Sequence, residues 1–382
     1  MKKIIGCLLV SLLFIPFNLV KADTPLAPHA TSVIVLEPTT GEVIYERNAN
    51  ERRHPASMTK IMTMLLVVEA IDKDLIKWDD LITVSKKASS MGGSQILLEE
   101  NEKMSVEDMF KGLSIASGND AAVALAEKIG GSEEIFVEMM NKRANELGLV
   151  DTNFKNSHGL DEANHYSTAH DMAYMAKELI KHPKVLEFTS IYEDYLRKGT
   201  NKTFWLVNTN KLVRFYDGVD GLKTGYTAEA GFCMTATAKI NNMRIITTVM
   251  GEPDSKTRNA DVTSILDYVY AQYALKNIVT SQAILKEVNI SKGKIEKIGI
   301  VAKEDINNLY KKNDQKKEIT YDIEVDKITA PVRKGDTVGK LILKENGIVL
   351  KELALTVASD VKKANIFELY WRYLKDIMKF NI

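Results

Sequence analysis

Pro55-Ala56-Ser57-Met58-Thr59-Lys60 runs straight into an apolar stretch, Ile61 to Ile71. The spacing predicts a helix over Ala56 to Lys73 with Ser57 and Lys60 on one face, because residues three apart on a helix are neighbours. Burial against apolar side chains disfavours the charged form of a lysine, and a neutral amine beside a hydroxyl can take its proton. The pair therefore reads as a nucleophile carrying its own base. Alone the spacing is weak, since Ser291 with Lys294 and Ser359 with Lys362 repeat it without leading into an apolar helix. A surface serine beside a surface lysine is the plain alternative.

Upstream, Ser32 to Leu36 and Glu42 to Glu46 are strand-like runs joined by Pro38-Thr39-Thr40-Gly41, a composition that favours a hairpin. Met1-Lys2-Lys3, the apolar run to Val20 and then Lys21-Ala22 have the charged, apolar and small-residue regions of a secretory signal, with Asp23 as the expected mature start. An uncleaved anchor is the alternative, disfavoured by Pro16 and the small residue Ala22.

Downstream, Met91-Gly92-Gly93-Ser94 reads as a loop. Val106, Met109, Phe110 and Leu113 then recur at helical spacing behind Ser105, an N-cap candidate. That helix stops at Ser117-Gly118-Asn119, and a second begins at once with Asn119 or Asp120 as its cap, followed by a third over Ser132 to Leu147. A turn between helices can lift Ser117 and Asn119 toward a cleft, although capping alone would also explain them. Ser167 is the expected cap of a further helix reaching Lys181. His158 with Asp171 and Ser57 could form a serine, histidine and acid triad, but Ser57 already has a base one turn away.

From Val219 the period becomes that of strands, over Val219 to Gly225, Phe232 to Ile240 and Arg244 to Gly251. The first contains Lys223-Thr224-Gly225-Tyr226. Glycine in an edge strand lets another backbone approach, with Thr224 as a donor and Lys223 as a charge, or it is an ordinary bulge. Arg258 is placed in the chain before a helix expected from Ala260 to Leu275. Cys233 falls in a strand expected to be buried and reads as packing.

The 382 residues, 45% hydrophobic and 27% charged, suit a soluble globular chain of more than one domain. Basic and acidic residues number 51 each; if Lys2, Lys3 and Lys21 leave with the signal, 48 against 51 makes the remainder −3. Such a balance speaks against a nucleic-acid partner. Cys7 and Cys233 are the two cysteines, so an exported form would fold without an internal disulfide. No metal site and no cofactor are expected.

Ser57-x-x-Lys60, Ser117-Gly118-Asn119 and Lys223-Thr224-Gly225, in this order, resemble the signature of penicillin-binding proteins and serine β-lactamases. The neighbouring His158-Gly159-Leu160-Asp161 and Lys223-Thr224-Gly225-Tyr226-Thr227 are similar to the low-molecular-mass, serine-type D-alanyl-D-alanine carboxypeptidases, a resemblance that runs from about Thr31 to the end. It implies an α+β fold of the β-lactamase/transpeptidase type, a helical cluster packed on an antiparallel sheet with the cleft between them. It also implies two acyl transfers on peptidoglycan stem peptides ending in D-Ala-D-Ala. Ser57 would be the nucleophile, Lys60 its base and Ser117 the relay to the leaving amine. Asn119 would bind the substrate amide, Lys223 would help keep Lys60 neutral, and Thr224 and Arg258 would grip the terminal carboxylate. Gly225 gives the close approach, and the backbone amides of Ser57 and Tyr226 would form the oxyanion hole. β-Lactam antibiotics would be covalent inhibitors at Ser57.

Tyr226 departs from members that carry histidine after Lys-Thr-Gly. No acid offers itself as the deacylating base of class A β-lactamases, which argues against fast antibiotic hydrolysis. A D,D-endopeptidase would use the same residues, and a catalytically poor muropeptide binder would keep the same fold. The expected organisation is a signal over 1–22, a catalytic domain over 23–276, a β-rich stalk, a small sandwich, over 277–361 and an amphipathic helix over 362–382. In that last helix Phe367, Tyr370, Trp371, Leu374, Ile377 and Met378 share one side, opposite Glu368, Arg372, Lys375, Asp376 and Lys379. The asymmetry suits a membrane surface and is too charged to span one; docking on the chain's own domain is the alternative.

Overall fold

The computed structural model describes residues 26–281, 283–314 and 318–379. The expected signal over 1–22 lies outside the described residues, as do Phe380 to Ile382 and the side chains of Asp376, Ile377 and Lys379.

A five-stranded antiparallel sheet, ordered Glu42–Arg47, Ser32–Glu37, Met243–Glu252, Gly231–Ile240, Val219–Thr227, divides the N-terminal part. Every residue of Ser32–Glu37 is buried. Period two sends Ile34 and Leu36 into the core shared with the helical cluster, and Val33 and Val35 into the core under helix Ser255–Gln272. A strand covered on both faces must be apolar on both, which is why this one shows no alternation. Val219–Thr227, at the sheet's edge, lies against the Pro55-Ala56-Ser57 backbone.

At the centre of the helical cluster stands Lys60–Asp72, buried from Lys60 through Val68. A helix apolar all round belongs inside a core. Helices Val106–Ile115, Asn119–Gly130, Glu133–Glu146 and Ala169–Leu179 accompany it. The expected helix over Ala56 to Lys73 is shorter than that, because Ala56–Thr59 is a single 3-10 turn. Ala56 opens that turn with a left-handed φ of +48°, and the α-helix itself begins at Lys60.

Other boundaries move for local reasons. Thr168, not Ser167, caps its helix, because Ser167 pairs through its backbone with Arg53. Asp254 accepts from the amides of Lys256 and Thr257, so the last helix of the N-terminal part starts at Ser255, and Arg258 lies in its first turn rather than ahead of it. That helix ends at Gln272, where Tyr273–Val279 becomes a strand. Gly118, not Asn119 or Asp120, occupies the N-cap of Asn119–Gly130.

Beyond it lies an all-β part with its own apolar core, including Ile300, Leu341, Leu355 and Val357. A six-stranded sheet runs Ile319–Val325, Thr337–Glu345, Ile348–Val357, Lys297–Ala302, Lys286–Ser291, Ile328–Thr329, and a two-stranded one pairs Tyr273–Val279 with Ile306–Lys311. Helix Ile366–Lys379 closes the chain, its first turn tied by reciprocal bonds between Asn365 and Glu368.

Candidate active site

Ser57 stands on the 3-10 turn, one residue after the left-handed Ala56. Such a conformation costs on the order of 1–3 kcal/mol and persists only when the surroundings enforce it. Here two glycines do so. A Cβ on Gly159 would come within 1.9 Å of the Ala56 carbonyl oxygen, and one on Gly225 within 2.9 Å of that of Pro55 and 3.2 Å of the Ser57 nitrogen. The Gly159 loop and the edge strand thus clamp the turn from two sides.

Lys60 is fully buried, and its Nζ has three neighbours: it donates to Asn119 Oδ1 (2.7 Å) and the His158 carbonyl (2.6 Å), and lies 2.9 Å from Ser57 Oγ. Asn119 Oδ1 and the carbonyl can only accept. A neutral amine has two N–H groups and one lone pair, so these two acceptors leave the lone pair for the Ser57 hydroxyl. Burial above all, and then the Lys223 charge, holds Lys60 well below the usual lysine range against the opposing pull of Asp120.

Ser117 adopts a left-handed φ of +65°, and its buried hydroxyl has no hydrogen-bond partner among the described residues. Asn119 is not the cap that its position suggested. Its Oδ1 receives Lys60, its Nδ2 donates to the Gly92 carbonyl (2.7 Å), and its backbone amide donates to Ser94 (2.7 Å). The Met91 to Ser94 loop is thereby stitched to the helix junction. Asp120 completes the stitch by accepting from the amides of Ile96 and Leu98.

Across from these, Lys223, Thr224 and Gly225 are buried in the edge strand. Lys223 Nζ donates to the Thr224 carbonyl (3.0 Å), and burial followed by the Arg258 charge brings its ammonium down to about 7. Arg258 approaches the Cys233 carbonyl (3.5 Å) and donates to Asn259 Oδ1, and burial lowers it to about 10. Cys233 pairs with Gly225 in register, so Arg258 lies against the strand next to Lys223-Thr224-Gly225, near enough for its charge to act on Lys223. Cys233 itself is buried packing, its thiol pushed up to about 11 by desolvation. Tyr226 is 57% exposed at the rim and stacks on Phe232, with ring centroids 4.2 Å apart.

The triad alternative is not formed. His158 sets Nε2 3.6 Å from Glu133 and accepts the Leu160 amide on Nδ1, whereas Asp171 accepts from Thr152 and faces His170. What the sequence reading missed is the His158 main chain: its carbonyl, not its ring, meets Lys60. The following glycine was the available signal, because Gly159 has a φ of +92°.

Residues 19–254 match the D-alanyl-D-alanine carboxypeptidase family, and residues 273–363 match the penicillin-binding protein 5, C-terminal domain family. The D-alanyl-D-alanine carboxypeptidase DacF of Bacillus subtilis (strain 168) is 48% identical over 388 residues, covering 100% of both chains. Among solved structures, penicillin binding protein 5 from Haemophilus influenzae is 31% identical with a TM-score of 0.75, over 88% of this chain and 98% of that one. Penicillin-binding protein D2 from Listeria monocytogenes, solved in its cefotaxime-bound form, is 32% identical with a TM-score of 0.58, over 64% of this chain and 98% of that one.

Proposed function

The chain belongs to the D-alanyl-D-alanine carboxypeptidase family, and we propose how its residues divide that work. It is a serine-type enzyme that removes the terminal D-alanine of peptidoglycan stem pentapeptides and is acylated by β-lactams. Ser57 Oγ attacks the carbonyl carbon between the last two D-alanines while Lys60 takes the hydroxyl proton. The negative oxygen of the tetrahedral intermediate is met by the amides of Ser57 and Tyr226, a reading supported by the close approach that Gly225 allows. The C–N bond then breaks. Lys60 returns its proton through Ser117 to the departing amine, giving free D-alanine and an ester on Ser57. Water cleaves the ester, giving up its proton as the Ser57 hydroxyl re-forms. Lys223, Thr224 and Arg258 hold the substrate carboxylate by charge and hydrogen bonding, and Asn119 holds the substrate amide.

The observation that carries this reading is the contact of a wholly buried amine with the Ser57 hydroxyl. Release of D-alanine from a diacyl-D-alanyl-D-alanine peptide tests it. Wild type is expected to release it and Ser57→Ala to release none. Equal release from both would overturn the assignment of Ser57, and penicillin labelling without release from either would point to a binder or an endopeptidase.

The β-rich part, residues 277–361, serves as a stalk for the catalytic domain, residues 23–276, and the final helix rests on the outer face of the cytoplasmic membrane. Supporting this, Phe367, Tyr370, Trp371, Tyr373 and Met378 are all exposed on Ile366–Lys379, and no helix among the described residues is long and apolar enough to cross a membrane. The polar side is engaged elsewhere. Arg372 donates to the carbonyls of Gly293 and Lys294 and faces Glu296, and Glu368 faces Lys294. Docking by one face and anchoring by the other are thus compatible. Co-sedimentation with anionic vesicles is expected for the full chain and should be lost on removing residues 366–382.

A further inference from the structure

One buried acid takes no part in this chemistry. Glu252, the last residue of Met243–Glu252, is 1% exposed; no donor meets either of its carboxylate oxygens among the described residues, and the Asp261 carboxyl lies close enough for the two acids to hydrogen-bond when they share a proton. Beside it lies Asp261, also buried, on helix Ser255–Gln272. His29 reaches the same spot from the segment before the first strand, its Nδ1 3.2 Å from both Asp261 oxygens and its amide donating to one of them. One donor atom from each of the three lies within 4.8 Å of the others.

Two carboxylates buried side by side require something positive between them. The nearest guanidinium groups do not supply a hydrogen bond. Arg47 donates to the carbonyls of Ala27 and Ala30, and Arg258 to Asn259. Either a proton or a cation must therefore fill the role.

We propose that His29, Glu252 and Asp261 bind one divalent transition-metal ion of the zinc or manganese class, with water completing its shell. One imidazole nitrogen with carboxylate oxygens is a donor set that such ions accept. Bonds of about 2.0–2.2 Å set adjacent ligand atoms roughly 3.4 Å apart in a tetrahedron. The 3.2 Å between His29 Nδ1 and Asp261 fits that edge without movement. His29 is largely exposed and gives the ion a way in from solvent. Bound there, the ion ties three separate segments together: the entry to the first strand, the end of the strand beside it, and the helix whose first turn carries Arg258.

The full chain, stripped with a chelator, would be titrated with zinc chloride and then manganese chloride by calorimetry, with its melting temperature followed in parallel. One ion per chain and a raised melting temperature are expected with at least one of the two metals. His29→Ala and Glu252→Gln should each weaken binding at least tenfold. His29→Ala alters an exposed residue and keeps the test valid should Glu252→Gln fold poorly. Absence of binding overturns the proposal, as does binding that both variants retain. A Glu252→Gln chain that melts higher than a metal-indifferent wild type would assign the place to a proton instead. Penicillin labelling of Ser57 in His29→Ala reports separately on the catalytic reading.

Discussion

The cleft and the β-rich part obey different rules. Around Ser57 the chain holds non-glycine residues at left-handed φ in Ala56 and Ser117, buries two lysines completely, and leaves the Ser117 hydroxyl without a partner. Beyond Lys276 the left-handed non-glycine residues among those described are Lys292 and Asn346, both in turns, and the one buried polar residue is Thr356. The second region is what packing and strand propensity produce when nothing else is asked of them. The first stores unfavourable terms that packing elsewhere must offset, which is the pattern expected where side chains are held ready to react.

If that contrast is right, repairing the cleft should stabilise and inactivate it. Lys60→Met is expected to lower D-alanine release by on the order of 10³-fold or more, since it removes the proposed base, while raising the melting temperature. Loss of activity together with loss of stability would contradict the cost assigned to the buried amine. Lys223→Met comes next, with release down roughly a hundredfold and a stability gain that depends on pH. The folded Lys223 titrates at about 7 and the unfolded one near 10.5, so above that window both states are neutral and the burial costs nothing. As pH falls through the window the unfolded chain binds a proton that the folded one refuses, and stability drops. The gain of Lys223→Met should therefore be on the order of a few kcal/mol at pH 7 and fade by pH 10.5, as urea titrations at both values would reveal.

Gly225→Ala sharpens the comparison from the side of shape. Its Cβ would press on the Pro55 carbonyl and the Ser57 amide, so penicillin acylation should slow about tenfold and stability fall by about 1–3 kcal/mol. Normal acylation would show that the edge strand has slack. Leu341→Ala, in the separate β core, should cost about 2–5 kcal/mol of that part's stability and leave the acylation rate unchanged. A slowed rate would mean that the two regions are coupled.

Much of this was legible in the residues. The hairpin, the helix behind Lys60 and the antiparallel strands follow from apolar period, and the three motifs marked the elements that converge. What escaped depends on contacts between distant residues. Ala56 is left-handed because loops a hundred and more positions away press on it, and no local pattern carries that. Strands Tyr273–Val279 and Ile306–Lys311 contain lysines and asparagines in place of a clean alternation, so the helix expected to Leu275 runs over the first three residues of one and neither strand is marked. His29, Glu252 and Asp261 share no spacing at all and meet only through the sheet. Asn119 had the composition of a cap; only the buried Lys60 amine beside it gives its oxygen another use.

The bond from Asn119 Nδ2 to the Gly92 carbonyl has a consequence for selectivity. Nδ2 carries two N–H groups: one is held by this peptide carbonyl, which together with the Lys60 bond at Oδ1 fixes the plane of the amide, and the second is left to point elsewhere. On the proposed reading that second donor is already aimed, and any ligand with a carbonyl at this place gains from it equally, which sets no ligand above another. On the same proposal discrimination falls on the opposite wall, where Lys223, Thr224 and Arg258 would meet an anion, a group that no carbonyl can imitate. A peptide amidated at its C-terminus could present every other group correctly and still be treated as a stranger.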